Sequence, residues 1–343
     1  MRNTNLDILR IVAIFAVVVC HLGIIEPSLS NYCSNWGKHG VELLLILSGY
    51  LAVRTLENQG THGYYRRRIK RMIPLYWTVL SLEFIYEMFF SVVYQGNTMK
   101  TFLLSDGLSF GHYFLCLQLV IPSDNWEVYN NRYALWTMSA LAFFYLIVPV
   151  LYRFVRNYRS AQLVTIVALL LHRPLLHAIS DALSFLPETG HAEWFAEMTP
   201  VSYMYCFFLG ITAYYATKEK KEFILSLIII ALMFYEPTSR CRYELIFELI
   251  LVLAGTSSNL IQNEKITTHL VNISTKSYAI YLVHLWLIKI CNVFYNKFPI
   301  FDNAFVKLAV TLICIFAGSY GIYDLVQFCT IKIKREKDGI KAI

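Results

Sequence analysis

The chain has 343 residues, of which 57% are hydrophobic and 15% charged, and a mean hydropathy of +0.50. So little polar surface excludes a soluble globular protein of this size and identifies an integral membrane protein, with the lipid bilayer as its first partner. The formal net charge of +7 does not point to nucleic acid, because most Lys and Arg residues sit in short loops between apolar runs, where the positive-inside rule places them.

Windows of roughly 17–25 apolar residues predict an all-α polytopic bundle of ten spanning helices, near 6–26, 40–56, 72–94, 133–154, 161–180, 199–216, 222–236, 243–261, 273–296 and 303–329. The seventh is short for a span, and 108–121 is shorter still and reads as a re-entrant or interfacial helix. The first run holds Arg10 and has no small-residue cleavage site after it, so it reads as a spanning helix rather than a signal peptide. Basic clusters follow the second helix (Arg66, Arg67, Arg68, Lys70, Arg71), the fourth (Arg153, Arg156, Arg159) and the sixth (Lys218, Lys220, Lys221), and recur in the tail, whereas 181–198 carries four acids and no Lys or Arg. Alternate loops and both termini are then expected in the cytoplasm. Apolar segments reach almost to both ends, so residues 1–343 are expected to form one domain with no appended soluble domain. The eight Cys show no metal-ligand spacing, and no metal is expected; Cys33 and Cys241 fall in expected outer loops, where a disulfide has no pattern to support it.

Arg10 and His21 in LDILRIVAIFAVVVCHLG are the most informative residues, because an ionisable side chain in a segment this apolar needs a protein or watery surrounding. Eleven residues at 100° each make three turns plus about 20°, so both side chains share one face, about 16 Å apart along the axis. Asp7 shares that face and can neutralise Arg10. Long side chains that snorkel to the interface are the plainer explanation. Glu42, at the start of the second helix, is expected at the level of His21, with loop 27–39 short enough for the carboxylate to orient the imidazole; a helix N-terminal acid that favours the dipole is the rival. In YYRRRIKRMIPLYW, Arg68 and Arg71 stand at i and i+3 on one helix face, a spacing suited to gripping phosphate oxygens, although anionic lipid headgroups would draw the same residues. Arg173, with His172 and His177, falls towards the outer end of the fifth helix, and His284 falls about mid-membrane after Ser277, Tyr278 and Tyr281; packing and interfacial anchoring explain these as readily.

Taken together, the motifs resemble the acyltransferase 3 family of membrane acyltransferases. The residues are Leu6-Asp7, Leu9-Arg10 and His21; Gly40-Val41-Glu42 and Ser48-Gly49-Tyr50; Arg68, Arg71, Pro74 and Tyr76; and Ser277, Tyr278, Tyr281, Leu282 and His284. Any one is weak; four in order are specific. Many members carry acids where this chain has Leu141 and Ala142 after Leu135-Trp136, which makes it more similar to the stand-alone surface-polysaccharide O-acyltransferase branch.

The resemblance implies an acyl-CoA donor, acetyl-CoA in the first instance, and a hydroxyl acceptor on a surface or undecaprenyl-linked glycan at the bacterial cytoplasmic membrane. It implies His21, Arg10 and Glu42 as catalytic residues and Arg68, Arg71, Ser48 and Tyr76 as donor-binding ones, with Trp136, Arg173, Tyr281 and His284 in reach of the acceptor. His21 would be a general base, or would accept the acyl group itself; Cys20, about 100° away on the helix, is a weaker nucleophile candidate. Oligomeric state is open, a homo-oligomer included. The rival function is export of a lipid-linked sugar through an Arg–His relay; a structural partner in a polysaccharide assembly complex is a third.

Overall fold

The computed structural model describes residues 3–103, 108–117, 135–184, 191–219, 247, 250–252, 254–255, 259–298 and 303–340. Among these the long elements are helices. The first, α1 (Thr4–His21), starts at Asn3, whose side chain accepts from the Asn5 and Leu6 amides, and tightens into a 3-10 turn at Leu22–Ile24. The second, α2 (Pro27–Phe89), has Glu26 as its cap and proline at its first position, where the missing N–H is no loss. It therefore begins at Pro27, and the loop expected over 27–39 is helix instead.

Only Gly60 leaves the helical conformation inside α2, at φ 67° and ψ 176°. That left-handed φ suits glycine, and it divides α2 into two arms, 27–59 and 61–89, which carry the expected spans 40–56 and 72–94. Short helices α3 (Met99–Phe102) and α4 (Leu108–Phe114) follow, α4 being too short to cross a membrane. Then come α5 (Trp136–Leu151), α6 (Tyr158–Ala182), with an Asn157–Ser160 capping box, α7 (His191–Met198), α8 (Pro200–Glu219), α9 (Glu264–Lys297), capped by Asn263, and α10 (Ala304–Ile340). Among the described residues five helices are long and apolar enough to cross a membrane: Thr4–Ile24, Asn35–Tyr94, Tyr158–Ala182, Glu264–Lys297 and Ala304–Lys332, with Trp136–Leu151 apolar but shorter. The expected span 222–236 and most of 243–261 lie outside the described residues.

α1 packs between α2 and α9, α8 packs between α2 and α6, and α10 lies along α9. α1 and α9 run parallel, since Arg10 meets Ser274 and His21 meets His284. α10 returns antiparallel to α9, with Tyr295 donating to the Lys307 carbonyl and Lys276 paired with Asp324. The tightest crossing joins α2 to α8. A Cβ at Gly49 would run into the Phe207 carbonyl oxygen, and one at Gly210 into the Ile46 carbonyl oxygen. Each helix thus uses a glycine to admit the other's backbone, the small-residue packing of membrane helices. Gly210→Ala should cost about 1–3 kcal/mol by overpacking. Gly321→Ala on α10, where an added Cβ meets nothing within 4 Å, should be neutral or slightly stabilising. Thermal unfolding of the detergent-solubilised protein, read by size-exclusion fluorescence, compares the two.

Candidate active site

Arg10 is bound at the start of α1 rather than left to snorkel. Its Nη1 donates to Ser274 Oγ at 2.9 Å and lies 3.4 Å from Asp7 Oδ1. Ser274 in turn donates to Asp7 Oδ1 at 2.6 Å. One hydroxyl serves both ions because it offers a donor and lone pairs together. Asp7 is 3% exposed, so the pair neutralises two charges where either alone would cost several kcal/mol.

Three turns further along, His21 Nδ1 is 2.8 Å from the Val17 carbonyl oxygen and 3.3 Å from His284 Nε2. A carbonyl only accepts, so His21 carries its proton on Nδ1. By the same reasoning His284 carries its proton on Nδ1, 2.6 Å from the Tyr281 carbonyl oxygen, which leaves its Nε2 lone pair facing the His21 Nδ1–H. The rings meet edge to face, centroids 5.0 Å apart. In the neutral imidazole of His21 this arrangement leaves the lone pair on Nε2, as a general base or a nucleophile requires. Its partner is a second histidine and not the expected carboxylate.

Two connected cavities lie on the Arg10 side of this pair. The mouth, about 360 Å³, is walled by Asp7, Arg10, Arg54, Asn58, Gln59, Arg67, Arg68 and Arg71, among others. The inner cavity, about 120 Å³, shares Arg10, Leu51, Arg68 and Arg71 with it and continues between α1, α2, α5 and α9 along Ile14, Val41, Leu45, Ser48, Thr137, Leu141 and Tyr281. At its apolar end Tyr281 and Thr137 are hydrogen-bonded at 2.7 Å, and the Tyr281 ring is 5.8 Å from that of His284. His21 and His284 stand behind this Tyr–Thr pair and do not line the cavity.

Arg68 belongs to both spaces. Its Cζ lies 4.4 Å from the Tyr145 ring centroid and 5.6 Å from that of Tyr64, and Nη1 donates to the Tyr145 hydroxyl at 3.2 Å. Its Nε is buried with no hydrogen-bond partner. Two aromatic faces can hold a planar guanidinium in this way and would hold an ammonium less well. The sequence reading found Arg68, Arg71 and Ser48 but missed Arg54, Asn58 and Gln59. The signal was available: Leu51, Arg54, Thr55, Asn58 and Gln59 recur at the three-to-four-residue spacing of one helix face.

Other expected site residues lie elsewhere. Glu42 does not reach His21. Gly37 and Gly40 face α1, where an added Cβ would meet Cys20 Sγ at 2.7 Å and the Ala13 carbonyl oxygen at 2.5 Å; Glu42 is about 200° round α2 from Gly40 and points the opposite way. Its Oε2 is 2.9 Å from His39 Nδ1 and its Oε1 4.0 Å from Lys38 Nζ. Tyr76 does not line the cavity either: it is fully buried, donating to the Tyr113 carbonyl oxygen at 2.8 Å. Trp136 packs on Tyr203, centroids 5.0 Å apart, and Arg173 lines a separate space between α2, α6, α7 and α8. Cys20 turns its sulfur onto Gly37, away from both cavities.

Residues 3–235 match the family model for the acyltransferase 3 acyltransferase domain. The chain belongs to the acyltransferase 3 family. It is a member with long apolar helices, and the match takes in Arg10, His21, Glu42, Arg68 and Arg71, while Tyr281 and His284 lie beyond it. Among curated proteins it is similar to ORF330 of Acidianus two-tailed virus, named as a candidate acetyltransferase, at 27% identity over 147 residues. That alignment covers 42% of this chain and 39% of the viral protein, so the chain spans about two fifths of the length of this relative. No solved structure matches the chain.

Asp7→Ala should be more damaging than Ser274→Ala. The first leaves Arg10 without its acid, a loss of roughly 3–5 kcal/mol for a broken buried pair; the second removes a bridging hydroxyl, worth roughly 1.5–3 kcal/mol to charged partners. Unfolding temperatures of the two variants in one detergent give the order.

Proposed function

We propose that the protein transfers an acyl group, acetyl in the first instance, from acyl-CoA to a hydroxyl of a surface or undecaprenyl-linked glycan at the bacterial cytoplasmic membrane. The observation that carries this reading is the Arg-walled mouth opening into a narrow apolar cavity that ends one residue layer from the His21–His284 pair. The shape suits a donor with a polyanionic head and a long thin arm. Phosphates would meet Arg54, Arg67, Arg68 and Arg71, including the orphan Nε of Arg68, and charge would stay at the mouth while the arm lies along Leu45, Ser48 and Leu141. With the basic segment 66–71 on the cytoplasmic side, the donor enters from the compartment that contains it, and no phosphate crosses the bilayer.

His21 would then take the proton of the attacking hydroxyl on Nε2 as the hydroxyl oxygen bonds to the acyl carbon and the carbon–sulfur bond breaks. The Val17 carbonyl and the His284 lone pair hold the Nδ1–H and stabilise the imidazolium that results. Tyr281 and Thr137 must part for the acyl carbon to reach Nε2. An acyl-histidine relay uses the same unprotonated Nε2. Arg10 stays protonated and organises α1 against α9 rather than moving protons. The export reading needs an Arg–His relay, yet Arg10 bonds to Asp7 and Ser274 while His21 bonds to Val17 and His284, three turns away.

CoA release from acetyl-CoA, in membranes supplied with a cell-envelope glycan extract, tests the proposal. His21→Ala should lower the rate roughly 10²–10⁴-fold, as expected for loss of a general base. Arg68→Ala should act mainly on the KM for acetyl-CoA and abolish the thermal stabilisation that CoA gives the wild type, about 2.7 kcal/mol at a hundred times Kd. A wild type that neither releases CoA nor shifts with it would favour export.

A further inference from the structure

A second cavity, about 440 Å³, opens on the opposite side of α2 from His21, between α2, α6, α7 and α8. Its size is ordinary for a ligand pocket, about 300–1,000 Å³. Glu42 makes it unusual. Glu42 lines this space with its side chain 1% exposed, and its buried Oε1 has no hydrogen bond, with Lys38 Nζ 4.0 Å away. A carboxylate oxygen kept from water without a donor costs free energy, and native structures seldom tolerate it unless a ligand or water completes the set.

We propose that this cavity binds a neutral saccharide, with Glu42 Oε1 accepting from a sugar hydroxyl. The lining decides the class of ligand. Glu42, Asp181, Glu193 and Glu197 share it with Lys38 and Arg173, so the carboxylates outnumber the lysine and arginine, and a phosphate-rich ligand would be repelled. Paired acceptors and donors instead suit hydroxyl groups, each of which donates to a carboxylate and accepts from a Lys or Arg. The Tyr203 ring, tilted 34° to that of Trp136, adds an aromatic wall to this lining.

The cavity is also well placed for a substrate. Trp136 directly precedes Thr137, which lines the inner cavity, and packs on Tyr203, which lines this one, so the tilted ring pair links the walls of the two spaces. On the α2 side the wall is also shared: Val41 and Leu45 face the inner cavity and Glu42 the second. The saccharide held here is therefore the acyl acceptor waiting one aromatic pair from the donor. That role rests on the acyl-transfer reading; the binding itself does not.

The test uses the full-length protein in detergent without any acyl donor. Maltose and N,N′-diacetylchitobiose serve as neutral probes, with sialyllactose and spermidine as anionic and cationic controls, and ligand-dependent thermal shifts are titrated. The neutral sugars should stabilise the wild type and Arg68→Ala alike. Glu42→Leu should weaken the apparent affinity roughly ten- to a hundredfold, the loss of a hydrogen bond to a charged group, and Tyr203→Leu should weaken it independently, so one misfolded variant does not decide the matter. No shift with either neutral sugar, a shift that survives both substitutions, or a response to spermidine alone would overturn the proposal. Because the readout contains no CoA, its failure would leave the CoA-release result standing, and loss of CoA release would leave saccharide binding standing.

Discussion

The buried contact among Asp7, Arg10 and Ser274 sets the register on which the candidate active site depends. Two opposite charges and a bridging hydroxyl cannot be exchanged for neighbouring residues without leaving a charge unpaired in apolar surroundings. From this contact, eleven residues along α1 and ten along α9 both advance about 15–16 Å, which brings His21 to His284. Slipping α9 by one turn would set Leu270 opposite Arg10 and Ile280 opposite His21. Neither could replace what was lost. The polar stripe of α9 explains why this register is reachable: Ser274, Ser277, Tyr281 and His284 follow at spacings of three, four and three, and all four are buried. The ion pair thus serves specificity of packing more than net stability.

The same logic separates the chemistry into zones. Cations gather at the mouth, where Arg54 and Arg67 stand, and Arg10, Arg68 and Arg71 line both the mouth and the start of the inner cavity. Arg68 does so between tyrosine rings that present their negative faces to it. Beyond it the walls are mainly aliphatic, with isolated hydroxyls from Ser48, Ser277 and Thr137. A phosphate in that deeper part would forfeit its hydration against mainly aliphatic walls. Charge and apolar surface are therefore separated by the order of residues along the channel.

Much of this was legible in the sequence, and the parts that were not share a cause. Hydropathy located the apolar runs, helical phase put Asp7, Arg10 and His21 on one face, and the spacing of Arg68 and Arg71 marked the mouth. The error over Glu42 came from judging depth without phase. Gly37 and Gly40, three residues apart, are the small residues that admit α1, and counting two residues on from Gly40 would have turned Glu42 towards α6 and α8. The identity of His21's partner was out of reach, because nothing local says that α1 and α9 lie side by side and parallel. Tyr76 failed for a similar reason: its hydroxyl is taken by a carbonyl of α4, a helix whose placement no periodicity reveals.

The first arm of α2 shows how these features come from a single element. Lys38 and Glu42 line the second cavity, Val41, Leu45 and Ser48 the inner one, and Leu51, Arg54 and Asn58 the mouth. The 21 residues from Lys38 to Asn58 extend about 30 Å, the thickness of a bilayer's hydrocarbon core. Its faces divide as its length does: glycines against α1 and, at Gly49, against α8; polar residues towards the two ends; aliphatic ones between. Gly60 then breaks the helix just past the mouth, and the second arm brings Arg67, Arg68 and Arg71 back to the residues the first arm has left there. A glycine at that one position lets two arms of one helix build both walls of an arginine-lined entrance.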